Sequence, residues 1–340
     1  MFVRLAAGAL FTINTFIMVR RFTNFFSILV LLPLVAGVSA LQGCALLSRG
    51  QMKAVESFTA SGDSLSRYPG GFFEEMAGLR AARGLYFSAS LSDGALRVEE
   101  INAIYAGKMK DLQLAKKANL SWEILGKYQN ALRVLAGAAR WQDAGREFRS
   151  LGRSVDSLVK EFNSLEIADA VLPMGIGKAA GRLVGYSSQL LIRRAQTRAV
   201  KGFVKEGDTL VSAVVASLVQ VLKSPAVTAL IENEKQGLEQ NYISYLKSYG
   251  AANSNLSRSP LAYNDDKEYL ALKERVEKLT YIRGGIISAA NRMAKAHKKI
   301  AEEFTKKRKV DELYRELQDF EKEVKTLRKE IFAITKNWPY

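Results

Sequence analysis

Apolar residues recur three and four positions apart along most of this chain, and the strictest runs lie near its C-terminus. Leu272, Val276, Leu279, Arg283, Ile286, Ala290, Met293, His297, Ile300 and Phe304 alternate steps of four and three. Val310, Leu313, Leu317, Phe320, Val324, Leu327, Ile331 and Ile334 resume the alternation one residue out of phase. A mean step of 3.5 is the seam of a coiled coil. The phase slip falls in Thr305-Lys306-Lys307-Arg308-Lys309, where it predicts a change of supercoil or a bend. Unbroken, the two runs would span on the order of 100 Å. A third seam, Trp141, Ala144, Phe148, Leu151, Val155, Leu158, Phe162 and Leu165, also calls for a partner helix.

Between these seams the pattern changes. Residues 166–250 turn to Gly, Ala, Val and Leu, with Pro173 and Gly175, Gly177, Gly181 and Gly185 breaking the first part. Thr209 to Ile231 holds Lys223 as its only charge, and Ser224-Pro225 divides it. Serine is a natural N-cap and proline a natural first helical residue, so two helices meet there. Asp208 or Thr209 is the expected cap of the first, and Gly250 the end of the second. This central apolar helical hairpin is read as core clasped by the long arms, with membrane contact as the alternative. Upstream, a helix is expected over Phe72 to Ser90, with Phe72, Phe73, Met76, Leu79, Leu85 and Tyr86 on its apolar face. Ser92-Asp93-Gly94 is a turn in which Asp93 caps the next helix. With six prolines in 340 residues and few β-branched alternations, the chain is all-α. The expected fold is an elongated antiparallel helical bundle with long coiled-coil arms and a central apolar hairpin.

The N-terminal region carries a different message. Arg20 and Arg21 precede an apolar run from Phe25 to Val38, too short for a membrane span, and Leu41-Gln42-Gly43-Cys44 follows with the only cysteine. Leu at −3, Gly at −1 and Cys at +1 resemble the lipobox of bacterial lipoproteins. The resemblance implies cleavage before Cys44, which then carries diacylglycerol and an N-acyl chain. At ~0.8 kcal/mol per buried CH₂, two or more acyl chains give stable anchoring. Ala45 after the cysteine, in place of Asp, implies outer-membrane sorting with the body facing the periplasm. Met18 is a more natural start than Met1, since residues 1–17 would add a second apolar stretch ahead of the basic region.

The domain plan is therefore a signal peptide at 1–43, a lipid-anchored tether at 44–70, an N-terminal helical arm at 71–165, the apolar middle at 166–250, a loop at 251–264 and a C-terminal coiled-coil arm at 265–340. Within the tether, Ser61-Gly62-Asp63-Ser64 and Tyr68-Pro69-Gly70-Gly71 are expected breaks. Loss of residues 1–43 takes away three arginines and no acid, leaving 297 residues and a net charge of +13. In an envelope compartment a basic surface points to anionic lipid, lipopolysaccharide, peptidoglycan or an acidic protein, and not to nucleic acid. With Cys44 acylated no disulfide forms, so stability comes from packing.

Chemistry-bearing groups are few. The single His and single Cys exclude the common nucleophilic pairs and His-rich zinc sites. His297 and Arg283 sit on the seam, where polar residues set register and partner choice. Gly175-Ile176-Gly177-Lys178-Ala179-Ala180 matches the dinucleotide pattern loosely, lacks a preceding strand, and reads as small-residue helix packing. Glu99-Glu100, Asp265-Asp266 and Glu302-Glu303 are read as solvated helical charges rather than acid–base pairs. The tail ending Trp338-Pro339-Tyr340 offers a docking segment. No catalytic, metal or cofactor-binding residue is expected, and no cofactor. The expectation is a membrane-anchored envelope lipoprotein acting through helical surfaces on an envelope protein or on itself as a homo-oligomer. A membrane-perturbing protein that releases the hairpin near 166–231 is the second reading, and a cell-wall enzyme the third.

Overall fold

A computed structural model of the chain describes residues 48–136, 154–155, 157–165, 172, 193–252, 263–306 and 310–333. Its long helices are α1 (Arg49–Leu65), α2 (Tyr68–Ser90), α3 (Gly94–Ala136), α4 (Arg193–Lys223), α5 (Pro225–Ala252), α6 (Tyr263–Lys306) and α7 (Val310–Phe332). No strand occurs among the described residues, and the expected all-α antiparallel bundle is what they form.

The expected tether is not one from residue 49 onward. Ser48 opens α1 with a capping box, its hydroxyl accepting from the Gln51 N–H while the Gln51 side chain accepts from the Ser48 N–H. Helix α1 then runs straight through Ser61-Gly62-Asp63-Ser64, burying Ala54, Val55, Phe58 and Leu65. Local turn propensity is worth about 1 kcal/mol per residue, less than the ~1.5–3 kcal/mol gained by burying each large apolar side chain. Ser66 and Arg67 keep right-handed helical dihedrals, so α1 and α2 follow one line with a slight irregularity. Pro69 falls in the first turn of α2, where its missing N–H costs nothing. Phe72, Phe73, Met76, Leu79 and Tyr86 are buried as expected, but Leu85 faces solvent.

Asp93 caps α3, accepting from the Ala95 and Leu96 N–H groups at 2.7 and 3.0 Å. Helix α3 then returns along α2 and α1. Ser88 donates to the Arg97 carbonyl, Arg80 pairs with Asp111 through 2.9 Å bonds to both carboxylate oxygens, and Arg133 reaches Asp63. Helical residues 157–164 lie against α3, where Lys116 meets Glu161 at 2.9 Å and the buried Lys117 bonds the Leu165 carbonyl at 2.7 Å, over the Phe162 ring. Val155, Leu158 and Phe162 of the third seam are buried as its spacing predicts, while Trp141, Ala144, Phe148 and Leu151, and Gly175 to Ala180, lie outside the described residues.

Ser224 joins α4 to α5 as expected, its hydroxyl accepting from the Val227 N–H and Pro225 following as first residue. The join is a kink in line rather than a reversal. Helix α6 shows this by running antiparallel to both without turning: His297 meets Asp208, Arg283 meets Thr228, Glu277 meets Lys235, Lys273 meets Glu239, and Asp266 meets Tyr242. A hairpin would fold α5 back on α4, and one straight helix could not keep that register with both. Asp208 and Thr209 lie inside α4 and cap nothing. The seam of α6 is buried as its spacing predicts, from Leu272 through Ile286, Met293 and Ile300 to Phe304.

At the phase slip the chain reverses instead of bending. Arg292 pairs with Asp319, Lys295 with Glu316 and Lys299 with Glu312, a falling register that sets α7 antiparallel to α6. The two C-terminal seams thus face one another, halving the extended arm. Four consecutive basic residues at 306–309 disfavour a continuous helix through that point. Helix α7 runs parallel to α1, with Tyr314 bonding the Gly50 carbonyl and Phe320 packing near Phe58.

Candidate functional site

Leu41, Gln42, Gly43 and Cys44, the lipobox residues, lie outside the described residues, as do Trp338, Pro339 and Tyr340. What the structure does place is His297, at the layer where α1, α3, α4, α6 and α7 meet. It is fully buried. Its Nδ1 lies 3.0 Å from Asp208 Oδ1 and its Nε2 lies 2.7 Å from the Tyr128 hydroxyl. Phe58 packs on the ring with centroids 5.4 Å apart, and Phe203 stacks on Tyr128 at 5.1 Å. Burial, and then the charge of Asp208, hold the Tyr128 phenol far above its ordinary value. Tyr128 therefore keeps its proton, and the imidazole bridges the phenol and the Asp208 carboxylate through its two ring nitrogens.

Asp, His and Tyr in a hydrogen-bonded line have the makings of a proton relay. With His297 and Tyr128 both at 0% exposure, no substrate reaches them in this conformation. The arrangement is a satisfied polar node that fixes which helices meet at this level. Its packing is tight: a Cβ on Gly207 would stand 2.2 Å from the Tyr128 hydroxyl, so only glycine lets α4 approach α3 here. Sequence spacing placed His297 on a seam, while Asp208, its partner, read as a helix cap and Tyr128 carried no signal.

The opposite end of the bundle is built differently. Tyr242 donates to Asp266 at 2.5 Å and stacks on Tyr269 at 4.2 Å, and Tyr245 bonds Asp265 at 3.4 Å. Asp265 and Asp266 thus occupy the first turn of α6, where negative charge is favoured, rather than facing each other as an acid–base pair. Tyr86 packs edge-on to Tyr242, and burial raises its phenol, with Glu268 adding to the effect. Between α3 and α5 an open groove of about 370 Å³ is lined by Arg80, Arg83, Phe87, Glu100, Ile104 and Asn241. Both guanidinium groups are already committed, Arg80 to Asp111 and Arg83 to Glu234 at 2.8 Å. Burial raises the Glu234 carboxyl while Arg83 opposes the shift.

The first turns of α3 present the largest anomaly. Leu96, Val98, Ile101, Tyr105 and Met109 are all exposed, Val98 at 59% and Tyr105 at 66%. Only Glu100, Ile104 and Gly107 in this stretch are partly covered. A helix apolar on so many sides belongs inside something. The sequence signal was available, since apolar residues at 96, 98, 101, 104, 105 and 109 exceed what one buried face requires.

Val214 and Val215, at the heart of the apolar middle, are buried in the bundle, although Lys201–Ala251 is long and apolar enough by composition to cross a bilayer. Among the described residues no three His, Cys, Asp or Glu side chains converge as metal ligands do. No family model, curated protein or solved structure matches the chain.

Proposed function

We propose that the chain is a lipid-anchored envelope protein that works by helix-mediated protein contact. The observation that carries this reading is the uncovered apolar surface on the first turns of α3, around Val98, Ile101 and Tyr105. The lipobox supports an anchor at Cys44, four residues before the bundle begins at Ser48, which limits their separation to about 14 Å. From Ser48, the α1–α2 line carries the chain about 60 Å to the α2–α3 turn. Anchoring confines the partner search to a surface and raises effective concentration, so a modest contact suffices.

Two measurements test this. Labelled palmitate enters the native protein and is lost, together with membrane fractionation, in Cys44→Ser. A photoreactive residue at position 105 in intact cells gives a covalent protein adduct, and one at exposed Lys322 on α7 gives none. Absence of both label and adduct overturns the reading.

A further inference from the structure

We propose that the occupant of the exposed face of α3 is a second copy of this chain, paired in parallel about a two-fold axis along the rods; this rests on the reading of the protein as an anchored interaction module. The face is itself a heptad seam. Val98, Ile101, Tyr105, Met109 and the half-buried Leu112 follow steps of 3, 4, 4 and 3, returning after two heptads to the same side. Knobs of this spacing fit holes of the same spacing, which an identical helix supplies by symmetry.

Area and the placement of the anchors narrow the choice. Leu85 on α2 adjoins the seam, and Leu85, Val98, Ile101, Tyr105 and Met109 are each between 40% and 66% exposed. Together they offer on the order of 500 Å² of apolar surface per copy, so a two-fold pairing removes on the order of 1,000 Å², the threshold of a specific interface. At 100° per residue, Arg97 and Lys108 flank the seam on the side toward α2, while Asn102, Ala106, Glu99 and Lys110 lie on the other. Head-to-tail pairing would set Arg97 against Lys108 on one edge and Glu99 against Lys110 on the other. Parallel pairing sets Arg97 near Glu99 and Lys108 near Lys110, a balance of charge equal to the head-to-tail one. Parallel pairing also leaves both Ser48 ends pointing the same way, as two anchors in one membrane require.

One cysteine added to the full-length chain, whose own Cys44 is blocked by its acyl group, tests the geometry. Ile101→Cys and Tyr105→Cys should each give a disulfide-linked species of twice the chain mass under mild oxidation, and Ala103→Cys, on the groove side of α3, should not. The detergent-extracted full-length protein should scatter light as a dimer, and Ile101→Glu with Tyr105→Glu should halve its mass with unchanged far-ultraviolet helicity. A monomeric wild-type protein overturns the proposal. So does an adduct at position 105 of any other mass, or crosslinking only between Val98→Cys and Met109→Cys in mixed samples, the head-to-tail signature. Palmitate labelling reads out separately, so loss of the anchor and loss of the dimer are distinguishable.

Discussion

The two ends of the bundle are made from the same rods and obey opposite rules. Around His297, five helices close on a node in which Phe58, Tyr128, Phe203 and Phe320 are fully buried and each hydrogen-bonding group of the imidazole is met. Around Val98, one helix rests on another and leaves its apolar side chains in water. The difference separates residues that hold the chain together from residues that await something else. Substitutions should cost stability at the first end and spare it at the second.

The largest effect is expected at Phe58. Phe58→Ala removes the ring that bridges His297 and Phe320 and should lower the unfolding free energy by about 3–5 kcal/mol in urea titration. Gly207→Ala forces a methyl group against Tyr128 where nothing can give way, and about 1–3 kcal/mol is expected by the same assay. A loss below about 0.5 kcal/mol at both positions would mean that this layer is not the tight one.

Glu234 sharpens the contrast through pH. Its side chain is nearly fully buried, and burial holds the carboxyl above its ordinary 4.5 although Arg83 pulls it down. The folded protein therefore retains a proton that the unfolded chain gives up. Stability from this group is complete below about pH 4.5 and falls as pH rises through the elevated value. Denaturation of wild type and Glu234→Gln across pH 4–8 should show the variant gaining on wild type as pH increases. A constant difference between them would refute the assignment.

Smaller effects belong to the open end. Asp93→Ala removes the cap of α3, worth about 1 kcal/mol, and since little else pins these turns, amide exchange of residues 95–100 should quicken about fivefold while global stability changes less. Val98→Ser should leave the stability of the isolated monomer within about 0.5 kcal/mol of wild type, measured at a dilution that prevents association. A larger drop would show that the exposed seam supports the fold itself.

This contrast also explains what the sequence disclosed and what it withheld. Heptad spacing located the buried positions of α6 and α7 almost residue by residue, because a seam is a local property of one helix. The reversal between Phe304 and Val310 was visible as a phase slip but not as a direction, since a slip is compatible with a bend, a supercoil change or a fold-back. Ser224-Pro225 gave the helix boundary and hid the angle for the same reason: cap chemistry settles where a helix starts, not where it points. Ser61-Gly62-Asp63-Ser64 misled because turn-forming residues were weighed without the burial of Phe58 and Leu65 on either side. The Asp208–His297 contact joins residues 89 apart and left no trace in local pattern. The lipobox at Leu41 to Cys44 is read from sequence, whereas the surface proposed to use it emerged only once the first turns of α3 were seen to expose their apolar side chains.

Phe58 lies in the first long helix and Phe320 in the last, yet their rings sit 6.1 Å apart. Part of the apolar side of α1 must therefore wait for α7 before it is covered. A ribosome that stalls before α7 would release a chain with a complete far end and a gaping near one. At this end of the bundle, order of synthesis and order of consolidation run in opposite senses.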